Sequence, residues 1–331
     1  MHTPCLFPVY CSSGKAGSYF MVSVLSIDGG GIRGIIPAAI LAEIEKRTGK
    51  PICELFDYIA GTSTGGIIAA MLAAPDEKGK PMFTAEQVKS MYIELGSNVF
   101  HSSLVRKILT LGGILGTRYS SRRLEKYLCE YFKGIRLHSA LSKLIITAYD
   151  TESCSPWFFK TTKALRYRGT IDDPELAKAV RATTAAPTFF PPLKLDGHCF
   201  IDGGVVANNP ALCAYAEVKK LNPRDEIIVV SLGTGRLLQF HKYGEIKNWG
   251  MLNWAIPIFN VLSNSSSATV NYQMKTLIGK DSYFRIEFIL DSKAERMDDT
   301  SKKNIQHLES VARKVVAENM QKINRICDLL C

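Results

Sequence analysis

The sequence predicts an α/β fold, a largely parallel central sheet with helices on both faces. Three observations carry this expectation. Short β-branched or apolar runs alternate with longer helix-compatible runs along most of the chain, the pattern of repeated βαβ units. Two of these runs, Val22–Ile27 and Phe56–Ala60, feed directly into glycine-rich turns that open a helix. The residues best suited to chemistry, Asp28, Ser63 and Asp202, all stand at the carboxyl ends of predicted strands, where the sites of open α/β sheets gather.

Composition bounds the possibilities. With 331 residues, 46% hydrophobic and 22% charged, the chain is globular in class. No low-complexity linker or short repeat divides it. We expect an N-terminal lead over 1–20, one α/β domain over 21–290 and a C-terminal helical extension over 291–331. The formal net charge is +10, yet like charges form no block and no zinc-finger or other nucleic-acid motif occurs, which argues against a nucleic-acid polymer. A diffuse basic surface favours an anionic membrane over nucleic acid, with ordinary solvated charge as the commonest explanation. Nine cysteines without a C-x-x-C pair indicate free thiols in a reducing compartment, and neither disulfides nor a zinc site is expected. Residues 1–20 lack the basic and apolar regions of a signal peptide. No apolar run is long enough to span a bilayer. The expected location is cytoplasmic, peripheral to membranes.

In chain order, Val22–Ile27 is a buried strand that runs into Asp28-Gly29-Gly30-Gly31-Ile32-Arg33-Gly34. A helix starting near Pro37 follows and stops at Gly49. Residues 56–70 read as strand, tight turn and helix around Gly61-Thr62-Ser63-Thr64-Gly65, the context of a G-x-S-x-G nucleophile elbow. Thr84 opens a helix to about residue 96. Residues 100–118 mix leucine and isoleucine with Arg106, Lys107 and Arg118; such a segment suits a membrane interface, or a surface helix packed on the core. Ser120-Ser121 caps a helix to about Phe132. Leu144–Tyr149 is a strand with Trp157–Phe159 as its hairpin partner, and Asp173-Pro174 opens a helix ending at Ala186-Pro187. The apolar turn Phe189–Pro192 either packs or lines an acyl groove. His198–Asp202 is a short strand ending in Asp202-Gly203-Gly204. A helix over 210–220 and the strand Ile227–Ser231 come next, followed by the Leu232-Gly233-Thr234-Gly235 loop. Residues 246–278 form a helix or lid-like segment with interfacial aromatics. A last strand spans 283–290, and a periodic apolar stripe from Ile305 to Met320 marks one long amphipathic helix.

The glycine loop after the first strand also matches G-x-G-x-x-G. A dinucleotide site wants an acidic residue at the end of a second strand, about 20 residues on. Glu43, Glu45 and Glu54 lie instead in or just after the predicted helix. A Walker A loop fails because no Lys-Ser/Thr follows. The remaining use of such a loop is to aim backbone N–H groups at an anion, and in ester hydrolysis that anion is the tetrahedral intermediate. A serine nucleophile usually has a histidine base. None of the six histidines occupies a suitable strand-end loop, although His198 stands four residues before Asp202. A carboxylate can serve as base if it reaches the serine hydroxyl directly.

These three stretches, Asp28–Gly34, Gly61–Gly65 and Asp202–Gly204, resemble in order the three motifs of the patatin-like phospholipase family. The similarity extends over about residues 21–290, including Arg181–Pro187, Asn208-Asn209-Pro210 and Ser231–Gly235. The resemblance implies a three-layer α/β/α fold whose Ser-Asp dyad lies at strand C-termini. It implies a calcium-independent lipid acyl hydrolase, a phospholipase A or lysophospholipase, without cofactor or metal. Ser63 would be the nucleophile, Asp202 the base, and the N–H groups of Gly29, Gly30 and Gly31 the oxyanion hole. Arg33, Gly34, Gly61, Gly65, Gly203 and Gly204 would be supporting motif residues. The middle and C-terminal segments resemble bacterial members, among them effector phospholipases switched on by cyclic nucleotides. Membrane glycerolipid is then the expected substrate, with a cyclic-dinucleotide or host-factor activator and a homo-oligomer left open. Two other classes stand against this reading. A nucleotide-binding module lacks its ribose acid, and a non-catalytic storage protein would have no need of both dyad residues.

Overall fold

A computed structural model describes residues 21–99, 116–237, 242–254, 257–291 and 296–331. The expected lead over 1–20 and most of the basic apolar segment 100–118 lie outside the described residues. Among the described residues ten strands occur in chain order: β1 (Met21–Ile27), β2 (Tyr58–Gly61), β3 (Lys143–Asp150), β4 (Ser155–Lys160), β5 (Leu193–Leu195), β6 (His198–Asp202), β7 (Glu226–Leu232), β8 (Arg236–Leu237), β9 (Tyr283–Ile286) and β10 (Ile289–Leu290). The first seven and β9 form one sheet in the order β5-β6-β3-β2-β1-β7-β9, with β4 on β3, while β8 and β10 make a small separate ribbon.

The run β3-β2-β1-β7-β9 is parallel throughout, as expected of strands that are nearly continuous apolar runs buried on both faces. Alternation along β1 and β7 distributes the side chains. Leu25, Ile27, Ile228, Val230 and Leu232 join one core with the helices Ile35–Thr48 and Thr64–Ala73. Val22, Val24, Ile227 and Val229 join a second core with Ala211, Ala214 and Val218 of the helix Ala211–Leu221 and with Met274. Two cores on opposite faces of one sheet make the three layers.

The strands β4, β5 and β6 depart from the parallel pattern, each pairing antiparallel to its neighbour. The strand that ends in Asp202 therefore points against the strands that end in Asp28 and Ser63, a reversal that the strand-end reading did not foresee. At the C-terminus, two helices, Lys302–Glu318 and Met320–Leu330, replace the one expected. The break is at Asn319, whose side-chain amide donates to the Val315 carbonyl at 2.9 Å, competing with the helix for that acceptor. Leu308, Ala312, Val315, Ile323 and Ile326 place both helices in the first core.

Candidate active site

The turn after β2 is tight and strained. Ser63 has φ 52° and ψ −118°, a region that a side-chain-bearing residue enters at about 1–3 kcal/mol. The surrounding bonds hold it there. The Ser63 N–H donates to Thr183 Oγ1 at 2.8 Å, the Gly65 N–H to the Thr62 carbonyl at 2.8 Å, and the Ile67 N–H to the Ser63 carbonyl at 3.1 Å. Thr62 donates to the Ala207 carbonyl at 2.6 Å. Backbones approach so closely that a Cβ on Gly61 would strike the Gly65 carbonyl, and one on Gly65 the Ile27 carbonyl. These contacts explain glycine at both positions. Ser63 stands at the N-terminus of the helix Thr64–Ala73, half-buried, at the tip of the turn.

Register explains how Asp202 reaches this serine. On β3, β2 pairs as far as Ile146, opposite Gly61, and β6 pairs from Asp150 back to Ala148, opposite Asp202. The hairpin strand β4 occupies the other edge of β3 from Ile145 to Asp150. Both β2 and β6 must then share one edge, running head to head with only Thr147 between their ends. Thr147 Oγ1 lies 2.8 Å from Thr62 Oγ1, joining the two ends. A strand of reversed direction thus delivers its terminal residue to the end of β2.

Asp202 is 5% exposed. Its Oδ1 accepts the Gly204 N–H at 2.7 Å, and the nearby Ser63 side chain favours its charged form. No cation pairs with it among the described residues. Burial pushes the carboxyl up to about 6, against the pull of the Ser63 side chain and the Gly204 N–H. The group is therefore mostly ionised at neutral pH, yet more basic than an ordinary aspartate.

The glycine loop is pinned at several points. Gly29 donates its N–H to the Asn208 carbonyl at 3.1 Å and its carbonyl accepts from Thr234 Oγ1 at 2.6 Å. The Ile32 N–H donates to the Met297 carbonyl at 2.9 Å. A Cβ on Gly29 would stand 3.4 Å from Ser63 Cβ, so the loop lies against the nucleophile elbow. Of the three amides expected to form an oxyanion hole, that of Gly29 is already committed to Asn208. The Gly30 and Gly31 N–H groups donate to nothing among the described residues, leaving two donors for an incoming oxygen.

Two buried arginines flank the loop. Arg33 is 4% exposed, donates through Nε to the Gly30 carbonyl at 3.2 Å, and is lowered to about 10 by burial. Arg285, on β9, grips Asp28 with both nitrogens, Nη1–Oδ1 2.8 Å and Nη2–Oδ2 2.6 Å, and donates to Ser231 Oγ at 2.8 Å. Burial opposes its charge, but the adjacent Asp28 carboxylate more than reverses this and keeps it protonated. Arg285 did not emerge from the sequence. The available signal was an arginine inside the apolar run Tyr283–Ile286, because such a residue in a central strand needs a buried anion.

The histidines lie elsewhere. His198 is 2.8 Å from Asp150, His138 2.8 Å from Asp173 and His307 3.0 Å from Asp291. His198 is thus a strand-start residue with its own carboxylate. His2, His101 and His241 are outside the described residues. Among the described residues no cluster suits a metal ion, and no helix is long and apolar enough to cross a membrane.

Comparison with known proteins places these features in a wider set. The model of the family described as "Patatin-like phospholipase" matches residues 25–215, a span that holds all three motifs but stops short of Arg285. "Patatin-like protein 2" of Oryza sativa subsp. indica is 33% identical, covering 96% of this chain and 89% of that protein. "Patatin-like protein 1" of Arabidopsis thaliana is 32% identical over 92% of this chain and 83% of its own length. "Patatin-T5" of Solanum tuberosum is 32% identical over 92% and 86%. These relatives are plant proteins; the expectation from the middle and C-terminal segments is of bacterial members. Among solved structures, VipD from Legionella pneumophila covers 90% of this chain and 67% of its own at 13% identity and a TM-score of 0.38.

Proposed function

The chain belongs to the patatin-like phospholipase family, and from that premise we propose that it is a lipid acyl hydrolase cleaving fatty-acyl esters of membrane glycerolipids through an acyl-enzyme on Ser63. The observation that supports this reading is that β6 brings a buried, cation-free Asp202, its carboxyl raised to about 6, to the end of β2 beside the Ser63 turn. A base of that strength is ionised at neutral pH and accepts a proton more readily than a solvated carboxylate.

In the first half-reaction Asp202 takes the hydroxyl proton as Ser63 Oγ attacks the ester carbonyl carbon. The carbonyl oxygen becomes an oxyanion, which the free N–H groups of Gly30 and Gly31 receive. Gly29 acts differently in this proposal: bound to Asn208, it holds the loop against the elbow. Collapse of the intermediate expels the lysolipid alkoxide, which takes the proton from Asp202 and leaves as the alcohol. In the second half, water gives a proton to Asp202 and attacks the acyl carbon, and the fatty acid departs as Ser63 recovers its proton. Every proton transfer runs through Asp202, so the cycle calls on no calcium.

A fluorophosphonate probe tests this directly. Peptide mapping of the labelled protein should place the adduct on Ser63. Ser63→Ala should take up no probe and release no fatty acid from vesicles. Fatty-acid release by purified Ser63→Ala at the wild-type rate would overturn the assignment.

A further inference from the structure

The helix Pro257–Ile278 changes character along its length. In its second half Met274 is buried, with Val270 and Ile278 packed alongside it in the second core, as in any amphipathic surface helix. In the first half the faces are exchanged. Asn260, Ser263, Asn264 and Ser267 line a recess shared with Arg33 and Asn208, and Ser267 Oγ accepts from Asn208 Nδ2 at 3.4 Å. The opposite side carries Ile258, Val261 and Leu262, exposed by 38%, 37% and 59%. Polar residues face the protein and apolar ones face outward.

The sequence around this helix is equally unusual. From Asn248 to Met274 no Asp, Glu, Lys or Arg occurs, in a chain that is 22% charged. Lys242, Glu245 and Lys247 precede the span and Lys275 ends it. Met251, in the short helix just before, is 85% exposed. An apolar patch with no charge inside it and a net positive border has the composition of a surface that enters the headgroup region of a lipid layer. Asn208 connects the two sides: its side chain contacts the helix, and its carbonyl binds the Gly29 N–H of the catalytic loop.

We propose that the outward face of the first half of Pro257–Ile278 is where this protein docks on a lipid surface. Ile258, Val261 and Leu262 enter the interface, and Lys242, Lys247 and Lys275 meet anionic headgroups at its border. Docking there sets the polar recess and the elbow beside the layer that supplies the ester. This inference rests on the acyl-hydrolase reading above, and its test separates the two.

Sucrose-loaded vesicles of phosphatidylcholine, with and without about one-third phosphatidylglycerol, are sedimented with Ser63→Ala protein, which leaves the lipid intact. The triple variant Ile258→Ser/Val261→Ser/Leu262→Ser is compared in the same background and, with Ser63 restored, on vesicles and on a short-chain p-nitrophenyl ester in solution. The expected result is a loss of vesicle binding and vesicle hydrolysis of about tenfold or more, following the apolar area withdrawn. Hydrolysis of the soluble ester should stay within about twofold, because these side chains lie outside the proton-transfer path. Anionic lipid should strengthen wild-type binding, and the emission of Trp249 and Trp254 should shift to the blue on vesicles. Equal vesicle binding by the triple variant overturns the proposal. So does an equal loss on both substrates, or a wild-type dimer that the triple variant dissociates, which would make the face a self-contact. Failure of wild-type protein to cleave either substrate would sink the hydrolase reading, while the sedimentation arm still decides the docking face.

Discussion

Asp28 and Asp202 begin from the same local sequence and end in different chemistry. Each closes a strand, each is followed by two glycines, and they are 3% and 5% exposed. The difference is supplied from far along the chain. Arg285 grips both oxygens of Asp28, and nothing cationic approaches Asp202 among the described residues. A buried carboxylate clasped by guanidinium is an anchor: burial raises Asp28 as well, but both its oxygens are engaged by Arg285. A buried carboxylate offered only a hydroxyl and one backbone N–H keeps its affinity for a proton. The same tripeptide becomes a clamp or, in the proposed reaction, a base according to whether a cation reaches it.

Removing charge from each aspartate in turn breaks this comparison most sharply. Asp202→Asn preserves shape and deletes the base, so acyl release from vesicles should fall by about 10²–10⁴-fold, read as kcat against a wild-type control. Asp28→Asn should act on stability instead. It leaves the buried Arg285 with only the Glu287 carboxylate, 3.1 Å from Nη2, a loss of up to about 3–5 kcal/mol, measurable as a drop in the urea midpoint. Replacing both members, Asp28→Asn with Arg285→Met, should recover part of that loss, since no orphan charge remains. A double variant less stable than Asp28→Asn would show that the pair does more than neutralise itself.

Much of this was legible in the sequence because the relevant constraints are local. The elbow needs small residues around Ser63, since Gly61 and Gly65 lie against backbone carbonyls, and that need is written in adjacent letters. The strands β1, β2, β3 and β7 are apolar runs bounded by turn residues, readable for the same reason. What escaped was set by long-range pairing. Nothing in His198–Asp202 says that β6 runs against β2 and meets it head to head, because direction is decided by the shared edge of β3. Likewise, the Gly29 N–H is committed to Asn208 through a contact between distant segments, so the loop proposed as an oxyanion hole reads as three donors where two are open among the described residues. The Asn319 break came from a side chain competing for a carbonyl inside an otherwise unbroken apolar stripe.

The unpaired state of Asp202 also has a thermodynamic signature, smaller than the effects above and opposite in sign to that of Asp28→Asn. Its carboxyl is raised from 3.8 to about 6 by burial, so the folded protein holds that proton more tightly than the unfolded chain does. The contribution to stability is fully present below about pH 4 and is lost as pH rises through about 6. The shift corresponds to up to about 3 kcal/mol. Asp202→Asn carries no charge to desolvate, so at pH 8 it should be more stable than wild type by about 1–3 kcal/mol, a gain that vanishes near pH 4.

In the proposed reaction the same ionisation governs turnover in the other direction. Only the carboxylate form can accept the Ser63 proton, so kcat/KM on a soluble ester should rise through an apparent pKa near 6. Below it, the rate should fall about tenfold per pH unit. Stability and activity therefore run in opposite directions between about pH 5 and 8, both through one group. A kcat/KM profile flat across this range, in a protein whose Asp202→Asn variant is nonetheless inactive, would mean that the carboxylate positions Ser63 without taking its proton.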